Sequence, residues 1–199
     1  KILNFLKEHA LDLANEIDYS HLPISMQLED LGLRHFELDL YEDPKGGRYS
    51  EHKALGFLGE KDEDYNEKLL QPGFKVMHVH EIDYRSQCIS FKTCLMQIRS
   101  WSKVNPNHLP IMILIELKTE AIPDPLKLDF SQPLEANKGT LDAIDQEILA
   151  IFKKEEIVTP AFVQGESPSL EDAILEIKSK TAKYNTRIIP VDSEHSAIF

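Results

Sequence analysis

Two kinds of residue are scarce in this 199-residue chain, cysteine and positive charge, and long apolar runs are missing altogether. With only Cys88 and Cys94 available, five residues between them, there are too few soft ligands for a thiolate zinc cluster; the pair either closes a small loop or sits as two buried thiols. Lysine and arginine number 22 against 34 acids, a formal charge of -12, which argues against a general nucleic-acid-binding surface. No apolar stretch approaches the roughly 18 residues that a bilayer span needs, and no GxGxxG-like loop offers a dinucleotide cradle. No positively charged leader precedes an apolar core, and both ends, Lys1 and VDSEHSAIF, read as cut. The length suits one substantial core but is short of the roughly 250 residues of a complete eight-unit barrel.

What is present is a repeated alternation of helix and strand. ILNFLKEHALDLANEI carries Ile2, Phe5, Leu6, Leu13 and Ile17 near helical spacing. In ISMQLEDLG, Ser25 is placed to cap a short helix and Gly32 to end it. The strand FELDLY follows, then a charged, glycine-containing loop to Gly73 and a second strand, Phe74 to His80. FKTCLMQIRSWSKV predicts a helix with Phe91, Leu95, Ile98 and Trp101 as its apolar stripe. LPIMILIELK reads as a central parallel strand covered on both faces. Beyond a loop from Thr119 to Lys138, TLDAIDQEILAIF predicts a helix, EEIVTP a short strand, SLEDAILEIK a helix opened by a Ser169–Asp172 capping box, and TRIIPVDSEH a last strand. The order implies an α/β domain in which right-handed crossovers bring the polar ends of successive strands to one rim.

The carboxylates on those strands raise the functional question. Strand alternation puts Glu37, Asp39 and Tyr41 on the face opposite Phe36, Leu38 and Leu40, either as the wet side of an edge strand or as ligands for a cation. Glu116 ends a later strand in the same way, so Glu37, Asp39 and Glu116 form a hard-oxygen set suited to calcium or magnesium. His78 is the candidate proton donor or acceptor beside them, and Lys118 is placed to pair with a carboxylate or meet a phosphate. A salt bridge from Glu116 to Lys118 or Arg34 is the structural alternative, His80 reads as structural, and Asp83 with Arg85 as a loop ion pair.

The segments LPISMQLEDLGLRHFELDLYEDPKGGRYS, GFKVMHVHEIDYRSQC and SWSKVNPNHLPIMILIELKTE, together with TLDAIDQEILAIF and IVTP, resemble the calcium-dependent phosphoinositide-specific phospholipase C family over about residues 19–175. The resemblance implies a partial or distorted TIM (β/α) barrel that binds Ca2+ through Glu37, Asp39 and Glu116 and uses His78 and Lys118 in catalysis. It also implies a Cys88–Cys94 disulfide, secretion or an extracytoplasmic location, and a phosphoinositide headgroup at a membrane surface as partner. No transmembrane segment, no nucleic-acid partner and a monomer are expected. The family's upstream His-Asn segment has no counterpart before Tyr19, since His9 is followed by Ala10; on this reading residues 1–175 are a fragment of the catalytic barrel whose own activity is in question. Residues 176–199 form a tail of separate character. Within it, IKSKTAKYNTRIIPVDSEHSAIF resembles part of 1-deoxy-D-xylulose 5-phosphate reductoisomerase, an NADPH-dependent enzyme in which Asp192 and Glu194 would bind metal and Ser193 substrate. A non-catalytic metal-binding protein is the third possibility.

Overall fold

A computed structural model describes residues 1–183. The chain divides into one unit from Lys1 to Ile151 and a second that begins at Phe152.

The first unit opens with helices α1, Ile2–His9, and α2, Leu11–Ile17, where a single helix was expected. Ala10 breaks it with φ -152 and ψ 66, and His9 ends the first piece locally by donating from Nδ1 to the Phe5 carbonyl at 2.8 Å. Helix α3, Ile24–Glu29, begins at Pro23 without a side-chain cap, so Ser25 does not play its expected part. Gly32 adopts the left-handed φ of 66 that turns the chain into strand β1, His35–Tyr41.

The expected loop from Asp43 to Gly73 contains two short helices, α4 at Lys53–Phe57 and α5 at Glu63–Lys68. The turn at its start depends on Gly46, with φ 78, where an added Cβ would collide with the Leu70 carbonyl. Strand β2 is only Lys75–Val76, and it runs antiparallel to β1, pairing Leu40 with Val76 and Tyr41 with Lys75. The expectation of a Phe74–His80 strand parallel to the others is therefore corrected. Beyond Val76 one further bond reaches β1, from the Met77 N–H to the Asp39 carbonyl at 3.2 Å, before Val79 and Asp83 exchange hydrogen bonds at 3.1 and 2.8 Å in a tight turn that ends the ladder.

Helix α6, Phe91–Val104, forms over the predicted span, capped by Ser90, which accepts from the Thr93 N–H at 3.2 Å. Its stripe of Phe91, Leu95, Ile98 and Trp101 is buried as expected. Each such side chain contributes on the order of 1.5–3 kcal/mol relative to exposure. Strand β3, Met112–Leu117, lies parallel to β1 in a sheet ordered β2–β1–β3. The central strand is thus β1 and not β3, whose far side has no partner strand among the described residues; Met112 is accordingly exposed. Helix α7, Lys138–Ile151, packs against α6.

The second unit contains a 3-10 turn at Lys154–Glu156, α8 at Pro160–Gln164 and α9 at Leu170–Lys183. No strand forms at EEIVTP, because Thr159 accepts from the Phe162 N–H at 3.1 Å and Pro160 takes the first helical position, starting a helix instead. Ser169 accepts from the Asp172 N–H at 3.1 Å, as the expected cap does. The fold is mixed α/β with a small open sheet among the described residues, without a closed barrel.

Candidate active site

The parallel register assembles three carboxylates. Phe36, Leu38 and Leu40 point into the core, which turns Glu37 and Asp39 to the opposite face. Pairing Asp39 with Glu116 then brings the later strand's acid alongside them. One oxygen from each of Glu37, Asp39 and Glu116 lies within 4.8 Å of the others. The Lys118 ammonium reaches Glu116 Oε1 at 2.7 Å and Asp39 Oδ2 at 3.5 Å, so the salt bridge anticipated for Glu116 is to Lys118. Arg34 is instead stacked over Trp101, 4.6 Å from the ring centroid, and donates to the Leu28 and Leu33 carbonyls.

One cation does not offset three neighbouring acids. Burial pushes the Asp39 carboxyl up to about 6, with Glu116 adding to the rise and Lys118 and His78 opposing it. Glu37 is also raised, by burial and then by its hydrogen bond to Glu116, whereas Glu116 is lowered, chiefly by Lys118. Asp39 Oδ1 is buried with no hydrogen-bond partner, an arrangement that is costly unless something else satisfies the oxygen. A hard divalent cation fits both observations, the surplus negative charge and the orphaned oxygen.

His78 stands near this cluster, carried there by the turn that replaces the expected strand. Its Nδ1 lies 2.9 Å from Asp83 Oδ2, and the Tyr19 hydroxyl is 3.3 Å from the same nitrogen and 3.4 Å from the same oxygen. The Asp83 hydrogen bond, the largest influence, raises the His78 pKa against the opposing effect of partial burial; Asp83 and Asp39 raise it further through space, and Lys118 lowers it. The expected Asp83–Arg85 pair does not form: Arg85 holds Asp62 at 2.6 Å. Neither Tyr19 nor the role of Asp83 was evident from the sequence, because alternation along a straight strand would have pointed His78 and His80 the same way.

His80 is buried and donates from Nε2 to the Ser131 carbonyl at 2.7 Å, while its ring packs edge-on against Tyr41 and Tyr49. That is a structural setting. The adjacent Glu81 is another buried acid missed in the sequence, accepting from the backbone N–H groups of Lys53 at 2.7 Å, Ser131 at 3.2 Å and Ala54 at 3.4 Å. A cavity of about 690 Å³ opens beside α4 and α5, but none of Glu37, Asp39, His78, Glu116 or Lys118 lines it. Glu37 and Glu116 are exposed, and Asp39 between them is half-buried.

A family model for phosphoinositide phospholipase C, Ca2+-dependent, matches residues 1–183. The chain belongs to that family. The match takes in α1 and α2, ahead of the point at which the sequence resemblance begins, and it points to phosphoinositide phospholipase C-like chemistry in general, a hydrolase of lipid metabolism. No curated protein and no solved structure matches the chain. The comparisons lend the reductoisomerase reading of the tail no support, and Asp192, Ser193 and Glu194 lie outside the described residues. Cys88 and Cys94 form a disulfide with Cα atoms 5.0 Å apart. No helix among the described residues is long and apolar enough to cross a membrane.

Proposed function

We propose that the chain carries the calcium site and one acid–base histidine of a phosphodiesterase that cleaves phosphatidylinositol or a related phosphoinositide, releasing diacylglycerol and an inositol phosphate. The observation that carries this is the parallel register of Asp39 and Glu116, with Glu37 in the same cluster and one Asp39 oxygen left without a partner. Glu37, Asp39 and Glu116 are the residues that hold Ca2+. When bound there, the ion neutralises charge developing on the nonbridging phosphate oxygens and makes the attacking inositol hydroxyl more acidic.

The chain's own groups supply the rest. His78, whose pKa is raised above the ordinary histidine value, holds a proton suited to the leaving glycerol oxygen. Lys118, already at the cluster, is within reach of phosphate or inositol oxygens and contributes positive charge where negative charge accumulates. The parallel β1–β3 pair, with α6 in the connection between its strands, is a building unit of a (β/α) barrel, and residues 1–175 are read as the part of such a barrel that bears the site. The disulfide fits an oxidising, extracytoplasmic setting in which the protein meets its lipid at the membrane surface.

The test is a phosphatidylinositol cleavage assay on this chain and on a version extended upstream. His78→Ala is expected to spare calcium binding and lower the rate about 100- to 10,000-fold. Full activity after that substitution, or after Glu37→Gln, would overturn the assignment. Calcium binding without any phosphodiester cleavage by the extended protein would favour a purely metal-binding role.

A further inference from the structure

We propose that Asp83, with Tyr19 beside it, is a positioning residue for His78: it holds the imidazole by Nδ1 and so leaves Nε2 as the nitrogen that exchanges a proton with substrate. The role of Nε2 rests on the phosphodiesterase reading, whereas the clamp on Nδ1 stands on geometry alone.

The clamp is built from the turn that cuts β2 short. Val79 and Asp83 bond each other's backbone in both directions, which fixes the five-residue spacing at which the Asp83 carboxylate meets the His78 ring, 2.9 Å from Nδ1. An ionised carboxylate only accepts, so the proton on this bond belongs to His78 Nδ1. Tyr19, brought from the segment after α2, donates to the same Asp83 oxygen at 3.4 Å and closes the third side. Arg85, the cation nearest in sequence, is engaged with Asp62, which leaves the Asp83 charge directed at the ring. The groups that face His78 are Asp83 on its own turn, Tyr19, Asp39 from β1 and Lys118 beyond β3.

The consequence is chemical. A free neutral imidazole prefers its proton on Nε2, and a carboxylate at Nδ1 reverses that preference. In the acid step the inositol hydroxyl oxygen bonds to phosphorus, its proton passing to water, as the bond from phosphorus to the glycerol oxygen breaks and the His78 imidazolium gives its Nε2 proton to that departing oxygen; the ring is left neutral, protonated at Nδ1 and still bonded to Asp83. A proton taken up at Nε2 from water restores the imidazolium. Asp83 touches no substrate atom in this scheme and acts only by aiming and charging the ring, as carboxylate partners of histidine do at other sites.

Nitrogen-15 NMR of the calcium-free chain, at a pH where His78 is neutral, tests the clamp without requiring turnover. The wild type is expected to show the Nδ1–H tautomer, Asp83→Ala to revert to Nε2–H in an otherwise dispersed spectrum, and Tyr19→Phe to keep Nδ1–H. Should Asp83→Ala fail to fold, Asp83→Asn serves: its carbonyl keeps the tautomer, but loss of the charge lowers the midpoint of His78 titration. An Nε2–H tautomer in the wild type, persistence of Nδ1–H in folded Asp83→Ala, or an unmoved midpoint in Asp83→Asn would overturn the proposal. In the cleavage assay Asp83→Ala should cost roughly 10- to 100-fold alone and less than about twofold in a His78→Ala background, because the two act as one unit. Absence of cleavage together with the expected tautomer reversal would reject the phosphodiesterase reading and leave the clamp intact.

Discussion

Asp39 and Glu116 face each other across the parallel β1–β3 pair, and the Lys118 ammonium reaches both. Lys118 therefore holds together a cluster that would otherwise repel itself. Lys118→Met should destabilise the calcium-free protein by about 1–2 kcal/mol, between the values for exposed and buried ion pairs. Urea unfolding followed by the fluorescence of Trp101, the chain's one tryptophan, measures this, and saturating calcium should shrink the difference.

Asp39 also sets a pH dependence. Its folded pKa is raised from the ordinary 3.8 to about 6, so the folded state binds the proton more readily than the unfolded chain. The stabilising contribution is complete below about pH 4 and is lost as pH rises through about 6, the reverse of a salt-bridged carboxylate. Without calcium, Asp39→Asn should remove this dependence between pH 4 and 7. At pH 7.5 it should raise the melting temperature by about 2–4 °C, the effect of roughly 1 kcal/mol in a domain of this size. Calorimetric melting of both proteins across that range checks it.

The Cys88–Cys94 bond closes a short loop, with a sequence separation of 6, that contains the Ser90 cap and the first turn of α6. Closing so small a loop constrains the unfolded chain by roughly 2 kcal/mol. Reduction, or a Cys88→Ser, Cys94→Ser double substitution, should lower stability by about that amount in urea titrations.

Glu81 ties the start of α4 to the Ser131 segment through three backbone N–H groups while almost fully buried. Glu81→Ala leaves those donors without their acceptor and should cost about 3 kcal/mol, whereas Glu81→Gln, which keeps a carbonyl oxygen, should cost less. Paired urea titrations of the two variants distinguish hydrogen bonding from simple loss of volume.

Much of the scaffold was legible in the sequence because its periodicity is strong. The α6 stripe and the alternation of Phe36, Leu38 and Leu40 with Glu37 and Asp39 appear in the structure as read. The grouping of Glu37, Asp39 and Glu116 was readable only by assuming that β1 and β3 are neighbours, which their pairing bears out. Local hydrogen bonding defeated the rest. The Val79–Asp83 turn consumes backbone groups that an apolar alternation assigns to a strand, so β2 is short and antiparallel and the Asp83–His78 contact was hidden. Likewise the Thr159 cap and Pro160 outweigh the β-branched residues of EEIVTP, and the backbone breaks at Ala10 in a helix whose apolar spacing continues through it.

Calorimetric titration of calcium into the wild-type chain and into Asp39→Asn tests the central claim most directly, because Asp39 has the unpartnered oxygen in the cluster. The expected result is one-site binding in the wild type and affinity about tenfold weaker or worse in the variant, since calcium affinity follows the number of charged ligands. No binding by the wild type, or equal affinity in both proteins, would contradict the assignment of Glu37, Asp39 and Glu116 as a calcium site.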